Sequence, residues 1–168
     1  MNVDMILTVI KGILLGLDDK MSEPSWSKRN VLLDNFNLSQ CSVLDIGCGD
    51  KSILNYYSPK EYLGIDKDNR ADIIVDFDVD CLELNKTYDI GLILGVLEYL
   101  SNPDKLINDY KGNVTRFVII VLTRHAPKIN HKWKRAFNES SFNLFLSKHF
   151  NEYTVTKHNR YLIAECIT

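Results

Sequence analysis

Ser42-Val43-Leu44-Asp45-Ile46-Gly47-Cys48-Gly49-Asp50-Lys51 is the stretch whose reading decides the fold. It opens as a short apolar run, Val43-Leu44 with Ile46, breaks at Gly47-x-Gly49, and resumes an apolar pattern at Ile53 and Leu54. A strand, a glycine turn and a helix in that order make the ligand-binding corner of an open α/β sheet. Glycine has no Cβ, so the backbone can turn sharply and lie against a ligand, and a helix start offers free N–H groups at the same place. Two glycines alone are a weak signal. Tyr62-Leu63-Gly64-Ile65-Asp66 strengthens it, because this second apolar run ends on an acid about 20 residues after Asp45, where a strand-two carboxylate would hold ribose hydroxyls.

Outward from this corner, the chain alternates strands and helices. A third strand spans Asp72 to Val75 and ends in Asp76. A fourth, Ile90 to Leu94, is apolar without a break, as a parallel strand buried on both faces should be. Asn102 as cap and Pro103 at the first position predict a helix to Tyr110. A fifth strand runs from Arg116 to Leu122, and Ser140 to Phe150 is an amphipathic helix through Phe142, Leu144, Phe145 and Phe150. Glu152 to Ile167 alternates well enough for two strands joined by a tight turn near His158-Asn159. Between the glycine corner and strand two, Ile53 to Tyr57 reads as a short helix stopped by Ser58-Pro59. Cys81, Leu82 and Leu84 suggest a short helix or turn.

Ahead of the corner, Val3, Ile6, Leu7, Ile10, Ile13, Leu14 and Leu17 lie at helical spacing. This amphipathic helix is short, interrupted by Lys11 and without a small-residue cleavage site, so neither a membrane span nor a signal peptide fits. It reads as a helix packed on the domain's own core or on a partner chain, in the second case as a homodimer contact; the sharper readings are a lid or a surface anchor. A polar loop, Asp18 to Pro24, leads to a second helix with Trp26, Val31, Leu32 and Phe36 facing inward, which places Trp26 or Lys28 near the open end of the sheet.

The 168 residues fit one domain, expected as a helical segment 1–38 followed by a core 41–168. Hydrophobic and charged contents of 45% and 25% are ordinary for a globular chain. A net charge of −2 argues against a general basic surface for nucleic acid. Cys41, Cys48, Cys81 and Cys166 form no C-x-x-C pair and no zinc spacing, so no metal site is expected, and they read as reduced thiols in a cytoplasmic protein. Cys48 is a small residue in the turn rather than a nucleophile.

The chain resembles the class I S-adenosylmethionine-dependent methyltransferases, whose first motif runs hydrophobic-Leu-Asp-x-Gly-x-Gly. Strand two ending in Asp66 resembles their second motif, and the likeness continues through Ala71–Asp78 and Tyr88–Tyr99, four motifs in order between about Val43 and Leu122. The resemblance implies a Rossmann-like three-layer α/β sandwich with a seven-stranded mixed sheet in order 3-2-1-4-5-7-6, its last strand antiparallel. It implies S-adenosyl-L-methionine as cofactor and methyl transfer by in-line displacement to a small molecule or glycan precursor. Carried over by motif, Gly47 and Gly49 let the backbone pass the methionine moiety, Asp45 orients its ammonium, Asp66 accepts both ribose hydroxyls, and Cys48 and Lys67 belong to the same cofactor-binding set. Asp76 and Phe77 hold the adenine, and Leu94 and Gly95 line the methionine end. The catalytic candidates are Glu98 and Tyr99 after strand four, where relatives often carry Glu-His, and His125 after strand five.

The residues themselves favour this cofactor over a dinucleotide. Asp45, Asp66, Asp76 and Asp78 fall at the carboxyl ends of parallel strands and share one crevice. A sulfonium and an ammonium suit that acidity, whereas a pyrophosphate is repelled by it and wants a third glycine where Ser52 stands. Asp68, Asp72 and Asp80 read instead as caps or solvated acids. One departure is Lys51, where many relatives have glycine; Asp50 is placed to cap the helix and pair with it. The basic loop Thr123 to Asn138, with Arg124, His125, Lys128, His131, Lys132, Lys134, Arg135 and Trp133, is either a site for an anionic acceptor or a solvated loop. Two other classes stay open: a binding or scaffold protein whose cleft is blocked by Lys51 or the first helix, and a nicotinamide-dependent oxidoreductase with a parallel closing strand.

Overall fold

The apolar runs become the centre of a sheet. β1 (Ser42–Ile46) pairs in parallel with β2 (Glu61–Asp66) and with β4 (Tyr88–Leu94). β3 (Ile73–Ile74) adds to β2, and β5 (Val114–Leu122) adds to β4, both in parallel. β7 (Tyr161–Ile167) inserts antiparallel between β5 and the edge strand β6 (Glu152–His158), giving the order β3-β2-β1-β4-β5-β7-β6. The expected order and the antiparallel closing pair are both present, and a parallel closing strand is not. These positions come from a computed structural model that describes residues 26–123 and 132–168. The expected first helix, the loop 18–24 and His125 lie outside the described residues, as do the side chains of Trp26 and Lys28.

Successive residues of a strand point to opposite faces, so a strand that is apolar throughout feeds two cores. Phe117, Ile119 and Val121 of β5 enter one core, and Val118, Ile120 and Leu122 enter the other. The first core is closed by α1 (Pro103–Tyr110) and α2 (Glu139–Ser147), through Leu106, Ile107, Phe142 and Phe145. Leu33 and Leu38 close the second. Three layers result.

The helix signals hold where capping chemistry sets them. Asn102 accepts from Lys105 N at 3.2 Å with Pro103 inside the first turn, and Asn138 and Ser141 form a reciprocal capping box that starts α2 at Glu139. Asn159 takes the β6–β7 turn with φ 52°, a left-handed conformation that asparagine tolerates. Four expectations need correction. Strand three is only Ile73–Ile74, and Cys81 to Leu84 form no regular element. The helix after the corner is a 3-10 turn, Ser52–Asn55, and the helix before it is a 3-10 segment, Trp26–Phe36. That last segment turns inward through Arg29, Asn30 and Leu33, with Leu32 and Phe36 packing half-buried on the second core as expected, and Val31 half-buried.

Candidate functional site

Gly47 and Gly49 make the corner with φ of 81° and 54°, a region glycine enters without steric cost. The turn is tied to β2: the N–H groups of Gly47 and Cys48 both donate to the Ile65 carbonyl, at 2.8 and 3.2 Å. Asp66 secures it from the other side. Its Oδ2 accepts from Gly49 N at 2.8 Å and its Oδ1 from Asp68 N at 2.9 Å, so the carboxylate is fixed at the mouth of the turn. Lys51 also has positive φ, 59°, which explains why a glycine suits this position. Its Nζ turns away to Asp72 Oδ1 at 2.8 Å and does not line the cleft. The expected Asp50–Lys51 pair is therefore replaced by Lys51–Asp72, and Asp50 caps Ser52 N at 3.1 Å.

Above the carboxyl ends of β1, β2 and β4 lies a cleft of about 500 Å³, within the range of small-molecule sites. All ten residues expected to touch a cofactor line it. Asp45, Gly47, Cys48 and Gly49 form its floor, with Leu94 and Gly95 beside them, and Asp66, Lys67, Asp76 and Phe77 form its other end. Phe77 lines the cleft at its 8% exposed edge, and its ring packs edge-on against Tyr110 at 6.2 Å in the first core. Asp76 is shaped by its own turn, accepting from Asp78 N and donating its N–H to Asp80. Asp68 and Asp72, read as local acids, close the Arg70 turn and accept from Gly64 N. Cys48 is buried with its thiol pushed up to about 12, chiefly by burial and then by Asp45 and Asp66, so it is not a nucleophile at neutral pH. All four cysteines are free, and among the described residues no group of His, Cys, Asp and Glu side chains could hold a metal ion.

No family model matches the sequence, and no curated protein matches it. Solved structures do. The plantazolicin methyltransferase BamL, in complex with a triazolic desmethylPZN analog and SAH, superposes with a TM-score of 0.65 at 16% identity, over 98% of this chain and 91% of its own. The Burkholderia thailandensis 1,6-didemethyltoxoflavin-N1-methyltransferase, also with SAH, gives 0.63 at 15% over 98% and 88%. Magnesium protoporphyrin IX methyltransferase from Synechocystis PCC 6803 gives 0.60 at 11% over 99% and 96%. The fold is that of the class I methyltransferases.

Within this methyltransferase fold, the deep end of the cleft holds a buried acid and a buried base. Asp45 is 3% exposed and its Oδ2 accepts from the Tyr62 hydroxyl at 2.8 Å. Burial pushes its carboxyl up to about 7, against the lowering effects of Tyr62 and Arg29. Arg29 is 7% exposed; burial lowers its guanidinium to about 10, opposed by Glu98, Tyr161, Tyr99 and Asp45. The 3-10 segment that carries Arg29 is fastened to the corner: Tyr57 Oη donates to Asn30 O and Asp34 Oδ1, and Asn30 Nδ2 donates to Ser52 Oγ. Arg29 is the residue the sequence reading missed. Its signal was the polar run Ser27-Lys28-Arg29-Asn30 directly before the corner, where Trp26 and Lys28 drew attention instead.

The catalytic candidates separate. Tyr99 lines the cleft and meets the Trp133 ring edge-on at 6.3 Å. Glu98, one residue earlier, is fully buried and does not line the cleft; its Oε1 accepts from Leu122 N at 2.8 Å, and burial raises its carboxyl above the ordinary range. Of the basic loop, the described part spends its cations on the protein itself. Lys134 pairs with Asp78 at 2.6 Å, Arg135 donates to the Ser101 carbonyl at 2.8 Å, and both backbone N–H groups reach the Glu98 carbonyl. No described helix is long and apolar enough to cross a membrane.

Proposed function

We propose that the protein transfers a methyl group from S-adenosylmethionine to a small molecule or glycan precursor. The observation that carries this reading is the buried acid and base, Asp45 and Arg29, at one end of a cleft whose other end is lined by Asp66, Asp76 and Phe77. A zwitterionic α-amino acid needs one anion and one cation side by side. A ribose diol needs a fixed carboxylate, and an adenine needs an apolar wall with an acceptor for its amino group. In this reading Asp45 takes the ammonium, Arg29 the carboxylate, Asp66 with Lys67 the ribose, and Asp76 with Phe77 the base. Gly47, Cys48, Gly49, Leu94 and Gly95 let the backbone close on the ligand.

S-adenosylmethionine, when bound, supplies a methyl group already activated on a sulfonium. The protein's task is then alignment and exclusion of water. Val96, Tyr99 and Leu100 form the part of the cleft left for an acceptor, and Trp133 backs Tyr99 from behind. That wall favours an acceptor with a planar or weakly polar face. Tyr99 is the described residue placed to contact it, whereas Glu98 acts by position, holding the end of β5 through Leu122 N. Acceptor contact by His125 and dimerisation through the first helix belong to the same proposal. With methyl-labelled S-adenosylmethionine and a small-molecule extract, label should move into a low-molecular-weight product, and Asp66→Ala should abolish the transfer. Binding of the cofactor without transfer to any extract fraction would reduce the protein to a binding module.

A further inference from the structure

Asp45 is reached from β2 by a hydroxyl that the reading above does not use. Tyr62 Oη donates to Asp45 Oδ2 at 2.8 Å. The sheet register makes this possible: Val43 lies beside Tyr62 and Asp45 beside Gly64. Residues two apart on a strand share a face, so the Tyr62 ring and the Gly64 position rise on the same side, and the ring leans over Gly64 to reach Asp45. Gly64 supplies the space. A Cβ built there would lie 2.9 Å from the Tyr62 hydroxyl and 2.9 Å from Cys48 Sγ, closer than side-chain contacts allow. Gly64 has no left-handed φ, so room rather than backbone conformation is what the missing side chain provides.

We propose that Tyr62 is a positioning residue for the amino-acid end of the cofactor: its hydroxyl occupies one oxygen of Asp45 and turns the other toward the ligand's ammonium, in the space that Gly64 leaves open. The inference rests on the cofactor reading of the cleft. A buried carboxylate with a single charged role has several rotamers and lone pairs to misplace. A short donor on one oxygen removes that freedom before the ligand arrives. The hydroxyl also stabilises the ionised form that an ammonium needs. The titratable groups facing Asp45 are Tyr62 and Asp66 from β2, Cys48 from the turn and Arg29 from the 3-10 segment. Of these, Tyr62 and Arg29 favour the carboxylate and Asp66 opposes it. Loss of the hydroxyl therefore shifts Asp45 toward its neutral form, which cannot hold a cation.

Calorimetric titration of the full chain with two ligands tests this. S-adenosylhomocysteine carries the amino-acid tail, and 5′-methylthioadenosine has the adenosine and sulfur without it. Tyr62→Phe should weaken S-adenosylhomocysteine about ten-fold at neutral pH, the effect expected for losing a hydrogen bond to a charged group. It should leave 5′-methylthioadenosine within about two-fold. The pH at which S-adenosylhomocysteine binding falls by half should move up by about one unit. Gly64→Ala pushes on the same hydroxyl and equally on Cys48 Sγ at the methionine end of the cleft, so it too should give a tail-selective loss, and the double variant should be no weaker than the worse single one. The two variants reach the Tyr62–Asp45 contact by different routes, Tyr62→Phe without touching Cys48, so a folding defect in one leaves the other to decide. Equal loss of both ligands, or an unmoved pH midpoint, would overturn the positioning role. Failure of the unaltered protein to bind S-adenosylhomocysteine would instead overturn the cofactor reading beneath it.

Discussion

Gly47→Ala tests the construction of the corner. Gly47 sits at φ 81°, and a Cβ there would lie 2.2 Å from Val96 Cγ2 and 3.2 Å from Val96 Cγ1. Two costs follow. A side chain held in the left-handed region costs about 1–2 kcal/mol. The contact at 2.2 Å forces Val96 off its rotamer or shifts the Gly95 turn, at about 1–3 kcal/mol for an overpacked site. The sum, about 2–5 kcal/mol, is a large share of a typical domain's stability. Urea unfolding should show the loss as a lower midpoint with an unchanged slope. The decisive control is Val96→Ala, which deletes both clashing methyl groups. In that background Gly47→Ala should cost only the backbone share, about 1–2 kcal/mol, so the double-mutant cycle returns a favourable coupling. A loss below about 1 kcal/mol for Gly47→Ala, or an equal loss in both backgrounds, would refute the steric account of the turn.

Three further outcomes are expected. The Asp45 carboxyl is pushed from 3.8 to about 7 by burial, so folding favours its protonated form, and that contribution is complete below about pH 4 and lost as pH rises through 7. Asp45→Asn cannot ionise and should become more stable than the parent across that window, by about 2–4 kcal/mol at pH 8, while losing the cofactor; a gap that does not widen between pH 4 and 8 would contradict the assignment. Lys51→Gly relieves a left-handed lysine but gives up an exposed pair with Asp72 and adds chain entropy, so denaturation should place it within about 1 kcal/mol of the parent. S-adenosylhomocysteine affinity should stay within about three-fold, and a ten-fold gain would mean that Lys51 repels the ligand. Arg29→Met should weaken S-adenosylhomocysteine by about 10- to 100-fold in titration and spare 5′-methylthioadenosine, whereas equal losses would remove Arg29 from the carboxylate role.

The fold was legible because its central strands are short apolar runs bounded by turn residues, the pattern of a sheet covered on both faces. The candidate cleft was legible for a related reason: glycines and acids at strand ends are local in sequence, and the parallel register alone brings them together. What escaped the sequence depends on contacts between distant segments. The Trp26–Phe36 segment is a 3-10 helix, with three residues to the turn, so Asn30, Leu33 and Phe36 share one face, and Asn30 takes a buried place that an α-helical reading of Val31, Leu32 and Phe36 does not select. A buried arginine is also against composition, and Arg29 is tolerated beside Asp45 and Glu98. Glu98 reads as an available base until its bond to Leu122 N shows where it points. Lys51 reads as a charge in the cleft until Asp72, which follows a whole strand later, draws it away.

The central claim is that this cleft holds S-adenosylmethionine. Calorimetric titration with S-adenosylhomocysteine, with NAD as control and Asp66→Ala as the paired variant, tests it most directly. The account predicts micromolar binding of S-adenosylhomocysteine, no heat with NAD, and loss of binding in Asp66→Ala with the fold intact. A folded protein that ignores S-adenosylhomocysteine, or binds it equally well without the Asp66 carboxylate, would contradict it.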